Sequence, residues 1–187
     1  MSDADLAFHY VCTLGEAREI VARQERFWVS NCGCREERGQ CDRSRMDLCL
    51  MFRDDFPSGG TGLHEATRGE VEAILQETES KHLVSRPFRN EQDRSLIDGI
   101  CFCCDDCCGY FLHPDENICD RGRFIEETDL DACTGCGDCA AVCYFGVRMM
   151  DEGGLLIQRE NCYGCGLCAD VCPAVCVSMA ERKGIRE

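Results

Sequence analysis

Two cysteine quartets hold the chemistry this sequence can do. The first is Cys133, Cys136, Cys139 and Cys143, and the second is Cys162, Cys165, Cys168 and Cys172, followed by Pro173. Both read C-x2-C-x2-C-x3-C, a run of soft thiolate donors spaced for an iron–sulfide core. Three thiols at x2 intervals let a short loop wrap one face of such a core. Gly135, Gly137, Gly164 and Gly166 lie between the cysteines. Glycine allows the backbone to come close to a bulky inorganic group, and loop N–H groups then donate to sulfur and tune its potential. The chemistry served by such loops is one-electron transfer.

The quartets are an internal repeat. Cys133 and Cys162 are 29 positions apart, as are Cys143 and Cys172, and Gly135/Gly164, Ala140/Ala169 and Val142/Val171 repeat in register. Self-similarity of this kind marks a duplicated unit. Residues 126–187 resemble the bacterial 2[4Fe–4S] ferredoxins over their whole length. That resemblance implies two short strand–helix units around two clusters, with the fourth cysteine of each quartet ligating the other cluster. It assigns Cys133, Cys136, Cys139 and Cys172 to cluster I, and Cys162, Cys165, Cys168 and Cys143 to cluster II. Tyr144 departs from the family, many members of which have proline there; that proline does not bind iron. Cys176 reads as a small buried apolar residue.

The first 125 residues are rich in cysteine too. Cys32, Cys34, Cys41 and Cys49 are followed by Cys101, Cys103, Cys104, Cys107 and Cys108. Five thiols in eight residues cannot all sit in a core without a ligand or oxidation. These nine are candidates for one or two further metal sites. Additional [4Fe–4S] clusters are the first expectation and zinc is the alternative, because thiolate tetrads also suit Zn²⁺. Arg35, Arg38, Arg43 and Arg45 are interleaved with the cysteines; arginines can offset thiolate charge, although in polar loops they are more often solvated. The order Cys12…Cys32-Gly-Cys34-Arg35…Cys41…Cys49…Cys101-x-Cys-Cys-x-x-Cys-Cys108 resembles a group of anaerobe 4Fe–4S dicluster ferredoxin-like proteins. In these, a cysteine-rich N-terminal domain precedes a two-cluster ferredoxin domain. Cys107-Cys108-Gly109 also resembles the CCG motif of heterodisulfide-reductase-like subunits, but the C-x-x-C that should follow comes too early. Cys12 and Cys119 stand apart and read as buried, inert thiols. His9, His64, His82 and His113 are scattered and read as surface or satisfied core residues.

Composition narrows the partners. Twenty cysteines in 187 residues suit either a disulfide scaffold or a metal binder. The acidic start, Met1-Ser-Asp-Ala-Asp, leads into no long apolar run, and no signal peptide or membrane-spanning stretch is expected. Thiolate–metal bonds in a reducing cytoplasm are therefore favoured. The formal charge is −15, which disfavours nucleic acid. An acidic surface also suits docking on a basic patch of a redox partner.

The elements that position these thiols are partly readable. Thr13-Leu-Gly-Glu16 is a capping box and predicts a helix to about Arg26 with Ala17, Ile20 and Val21 inward. Phe27, Trp28 and Val29 predict a short strand. Residues 54–66, with Pro57, Gly59, Gly60 and Gly62, predict a loop. Thr67-Arg-Gly-Glu70 is a second capping box opening a helix to about Ser80 with Val71, Ile74 and Leu75 on one face. Leu83 and Val84 predict a strand, and this helix–strand unit reads as a structural spacer. His113-Pro114 predicts a turn. The fold class is α+β: a cysteine-rich domain over 1–125 and a two-cluster ferredoxin domain over 126–187. The function expected is an iron–sulfur electron carrier or electron-transfer subunit serving a partner oxidoreductase. The alternative is an oxidoreductase subunit whose open N-terminal cluster acts on a thiol, a disulfide or another small substrate.

Overall fold

Thr13 opens the first helix through a reciprocal cap. In the computed structural model, which describes residues 6–55, 60–114 and 119–183, Thr13 Oγ1 accepts from the Glu16 N–H at 3.2 Å, and the Glu16 carboxylate accepts from the Thr13 N–H at 2.9 Å. Two N–H groups that no helical carbonyl can reach are thereby satisfied. Helix α1 (Leu14–Ala22) buries Ala17 and Val21 and packs Ile20 on the same core. It stops short of Arg26, because the chain must turn into a strand that is buried along its whole length, Phe27–Ser30. The second box works in the same way. Thr67 and Glu70 cap a helix over Arg68–Ser80 that buries Val71, Ile74, Leu75 and Thr78. Pro57 and Gly59 of the expected loop lie outside the described residues; Gly60 and Gly62 lie outside helix and strand.

Seven strands form the main sheet: β1 (His9–Tyr10), β2 (Phe27–Ser30), β3 (Cys49–Met51), β4 (His64–Ala66), β5 (Val84–Arg89), β6 (Ile97–Cys103) and β7 (Cys119–Asp120). Their order is β4-β2-β3-β6-β5-β1-β7, antiparallel except for the β1–β7 pair. The helix–strand unit expected as a spacer is part of the core. β5 lies inside the sheet, and the Arg68–Ser80 helix contributes Val71, Ile74 and Leu75 to the largest apolar cluster.

Strand parity decides where the N-terminal thiols go. Alternate residues of a strand face opposite sides. Along β3 and β6, Leu50, Ile100 and Phe102 join the core beneath the helices. Cys49, Cys101 and Cys103 therefore point to the other side, as does Arg86 of β5 with its alternates Val84 and Phe88. Cys104, one residue past β6, returns to the helix side, and Cys107 joins it there.

Two short helices were not expected. α2 (Gly33–Arg38) follows Cys32 and ends at Gly39 in the left-handed conformation. Numbering helices along the chain, the Arg68–Ser80 helix is α3 and Gly109–Leu112 is α4, which begins after Cys108.

Beyond Asp120 the strands leave this sheet. β8 (Phe124–Thr128) pairs antiparallel with β11 (Val177–Glu181), and β9 (Arg148–Asp151) forms a hairpin with β10 (Gly154–Ile157). Helices α5 (Asp138–Ala141) and α6 (Leu167–Asp170) each start after a left-handed glycine, Gly137 or Gly166. Gly122 joins the two parts. Its N–H donates to the Tyr163 carbonyl at 2.8 Å, and a Cβ there would stand 2.3 Å from the Val11 carbonyl oxygen. Among the described residues no helix is long and apolar enough to cross a membrane.

Candidate metal centres

Each C-terminal cavity is walled by three cysteines of one quartet and the fourth of the other. Cys133, Cys136, Cys139 and Cys172 surround an empty volume of about 340 Å³ closed by Met150, Leu155 and Val177. Cys143, Cys162, Cys165 and Cys168 surround a second of about 340 Å³, closed by Phe145, Val147 and Leu167. The loops reach this geometry because their glycines bend where other residues cannot. Gly164 has φ +84°, and a Cβ on it would stand 2.1 Å from the Phe124 carbonyl oxygen of β8. The donor set is sulfur, the walls are mostly apolar, and the thiols are not gathered around one point as a single ion requires. These residues fit a polynuclear iron–sulfide group. Burial pushes the Cys168 thiol up to about 12 and the Cys165 thiol higher still. As thiols they stay protonated at neutral pH, and binding a cationic metal core would deprotonate them.

A buried arginine serves these loops. Arg148 is 2 % exposed. It donates from Nη1 to Cys139 Sγ at 3.3 Å, and from Nη2 to the Glu126 carboxylate and to Thr128 Oγ1. Its Nε has no hydrogen-bond partner. Burial by itself would raise the Glu126 carboxyl, but Thr128, Arg159 and Arg148 hold it below the ordinary glutamate value. Cys176 also lines the first cavity, with its Sγ 3.4 Å from that of Cys172.

The nine N-terminal cysteines fall into two groups. Six thiols connect in sequence on the open side of the sheet: Cys49 with Cys101, Cys101 with Cys103, Cys103 with Cys108, Cys108 with Cys34, and Cys34 with Cys32. Hydrogen bonds from Cys108 and Cys32 lower the pKa of the Cys34 thiol. Arg86 is 5 % exposed and donates from Nη1 to Cys108 Sγ at 3.3 Å and Cys103 Sγ at 3.7 Å. Cys119, isolated in the sequence, also faces Arg86. His9 is half-buried, with Nε2 3.9 Å from Cys101 Sγ; burial and the Arg86 charge lower its pKa to about 3, so the ring is neutral.

The second group is Cys41, Cys104 and Cys107 on the helix side. Cys104 Sγ lies 3.5 Å from Cys41 Sγ and 3.5 Å from Cys107 Sγ. Arg35 lies beside them, 1 % exposed. It is buried in the core and not solvated, whereas Arg38, Arg43 and Arg45 pair with carboxylates near the surface. Cys12 is buried in the main core, where burial raises its thiol pKa.

An aromatic seam joins the six-thiol group to the second cavity. The Arg86 guanidinium sits 4.2 Å over the Tyr110 ring, and Tyr110 packs edge-on to Phe145 and Tyr163. Phe145 and Tyr163 stack at 4.6 Å. Tyr144 meets Phe111 and the Arg43 guanidinium. Sequence reasoning missed Arg86 and Arg148. Their one local signal is a charge inside a strand, Ser85-Arg86-Pro87 and Val147-Arg148-Met149.

No curated protein matches the chain. Residues 132–176 match the family model described as the 4Fe-4S dicluster domain.

Proposed function

We propose that this chain is an iron–sulfur electron-transfer protein. In this reading Cys133, Cys136, Cys139 and Cys172 hold one [4Fe–4S] cluster, and Cys162, Cys165, Cys168 and Cys143 hold a second. A further N-terminal cluster is held within Cys32, Cys34, Cys49, Cys101, Cys103 and Cys108. The observation that carries it is the lining of the two C-terminal cavities, where the quartet thiols are drawn three from one quartet and one from the other. The clusters, when bound, supply reversible one-electron chemistry.

The protein's own residues account for the rest. Apolar side chains wall most of the space around the sulfurs, and Cys136 stays exposed at the rim. Arg148 and Arg86 put positive charge beside thiolate, which favours the more negative, reduced state. The aromatic seam sets packed rings between the N-terminal thiols and the second cavity. The net charge of −15 suits docking on a basic patch of a partner oxidoreductase, with transfer rates that fall as salt rises. A reducing, anaerobic cytoplasm suits exposed thiolate–iron chemistry of this kind.

The test is EPR with metal analysis on anaerobically isolated full-length chain. About 8 irons belong to the C-terminal pair and about 4 to the N-terminal cluster, at four irons per cubane. Reducible iron–sulfur signals are expected. A protein that carries no iron, or iron without a reducible signal, overturns the reading.

A further inference from the structure

We propose that Cys41, Cys104 and Cys107 form a separate mononuclear site for a thiophilic divalent cation, zinc, with the fourth coordination position left to water. This inference stands apart from the iron–sulfur reading, because none of its ligands belongs to the clusters proposed above.

Spacing separates this site from a cluster. The three Sγ atoms all lie within 4.8 Å of one another, and two of the separations are 3.5 Å. Thiolates about 2.3 Å from a tetrahedral zinc stand about 3.8 Å apart, the edge of that tetrahedron. A cubane puts each cysteine on a different iron and spreads the sulfurs around a much larger core. Among the described residues, no three thiols of the C-terminal quartets lie so close together. Among the described residues, the Cys41 group is the one set of three or more His, Cys, Asp or Glu ligand atoms gathered so tightly.

The surroundings suit one cation. Cys104 and Cys107 are buried, and Cys41 is half-exposed. Zinc binding releases the three thiol protons to solvent, and three thiolates on a divalent ion leave one net negative charge. Arg35 supplies the opposite charge: its guanidinium lies beside Cys41 and Cys104, and its Nε has no hydrogen-bond partner. The nearby carboxylates are already engaged. Asp105 is held by Arg43, and Asp106 by Arg38 and the Asp42 N–H. They border an open groove of about 460 Å³, and the half-exposed Cys41 is the side from which water would reach the fourth position.

Metal analysis and zinc-edge X-ray absorption on the anaerobically isolated full-length chain test this. The expected result is one zinc per chain beside the iron, with three sulfur neighbours and one lighter atom. Cys104→Ser is expected to lose more than four-fifths of the zinc, with iron content and C-terminal EPR signals unchanged. Absence of zinc, a four-sulfur zinc shell, or a fall in iron of about 4 per chain in Cys104→Ser each overturns the site. Where Cys104→Ser does not accumulate as folded protein, the zinc content and scattering shell of the unaltered chain decide. Failure of the electron-transfer reading is seen separately, as loss of the EPR signals with zinc still bound.

Discussion

Arg148 donates to Cys139 across 3.3 Å from a guanidinium that is 2 % exposed. The contact is one of three alike. Arg35, Arg86 and Arg148 are each buried, each lie beside one group of thiols, and each keep an Nε without a hydrogen-bond partner. Buried charges are costly unless paired. Only Arg148 has a carboxylate partner, Glu126. For the other two the counter-charge is sulfur. A buried arginine matched to thiolate is therefore the common device of all three thiol regions.

Replacing Arg148 tests what that charge does. Arg148→Met removes a positive charge beside Cys139, so the reduced cluster loses stabilisation and its potential falls. A tenfold change in a one-electron equilibrium is 59 mV, and a drop of about 60 mV is expected. An EPR-monitored redox titration reads it. An unchanged or higher potential shows that the guanidinium is structural only.

Glu126 is the matching test of stability. Glu126→Gln leaves Arg148 buried with half its charge pairing gone, and breaking a buried pair costs about 3–5 kcal/mol. The Glu126 carboxyl lies below its ordinary 4.5 because Thr128, Arg159 and Arg148 together outweigh burial. A lowered acid stabilises the fold above its unfolded value, and that stability is lost as pH falls through the folded value. The gap in thermal stability between the unaltered chain and the variant is therefore widest near neutral pH. It narrows as pH drops below about 4.5. A gap that is constant with pH excludes the carboxylate as its source.

Arg86 should separate the N-terminal thiols from the rest. Arg86→Met withdraws the guanidinium that donates to Cys103 at 3.7 Å and to Cys108 at 3.3 Å. Iron at the six-thiol group is expected to fall by more than half, while the C-terminal EPR signals persist. Iron per chain and EPR on the same sample check both halves of the statement. Equal loss from both regions means that Arg86 supports the whole fold through Tyr110, over which it lies at 4.2 Å.

What was legible in the sequence was local. Thr13 with Glu16, and Thr67 with Glu70, announce their helices because every group in a capping box lies within four residues. The quartets are legible for the same reason, and the dicluster match at 132–176 falls on them. Helix α2 was not, because Arg35 is anchored by distant carbonyls of Arg45 and Phe102. The division of the nine N-terminal thiols was not legible either. It follows from the pairing of Cys49 with Cys101 across β3 and β6, and from strand alternation, which sets Cys101 and Cys103 on one face and Cys104, with Phe102, on the other. Register of this kind is a tertiary fact, invisible to spacing.

Cys176 offers the last test. The sequence makes it a small buried residue, and it is buried; yet its Sγ lies 3.4 Å from Cys172 Sγ in the same cavity as Cys133, Cys136 and Cys139. The hydrogen bond to Cys172 pushes the Cys176 thiol up to about 11, so it is the protonated member of the pair. Cys172→Ser removes the thiol that holds it there. Cys176, which lines the same cavity, is then a thiol available to take its place. Cys172→Ser is therefore expected to keep a first cluster, with about 8 C-terminal irons and an altered EPR line shape, whereas Cys172→Ser with Cys176→Ser falls to about 4. Cys176→Ala alone keeps all of them. If Cys172→Ser by itself already halves the C-terminal iron, Cys176 is packing and no reserve ligand.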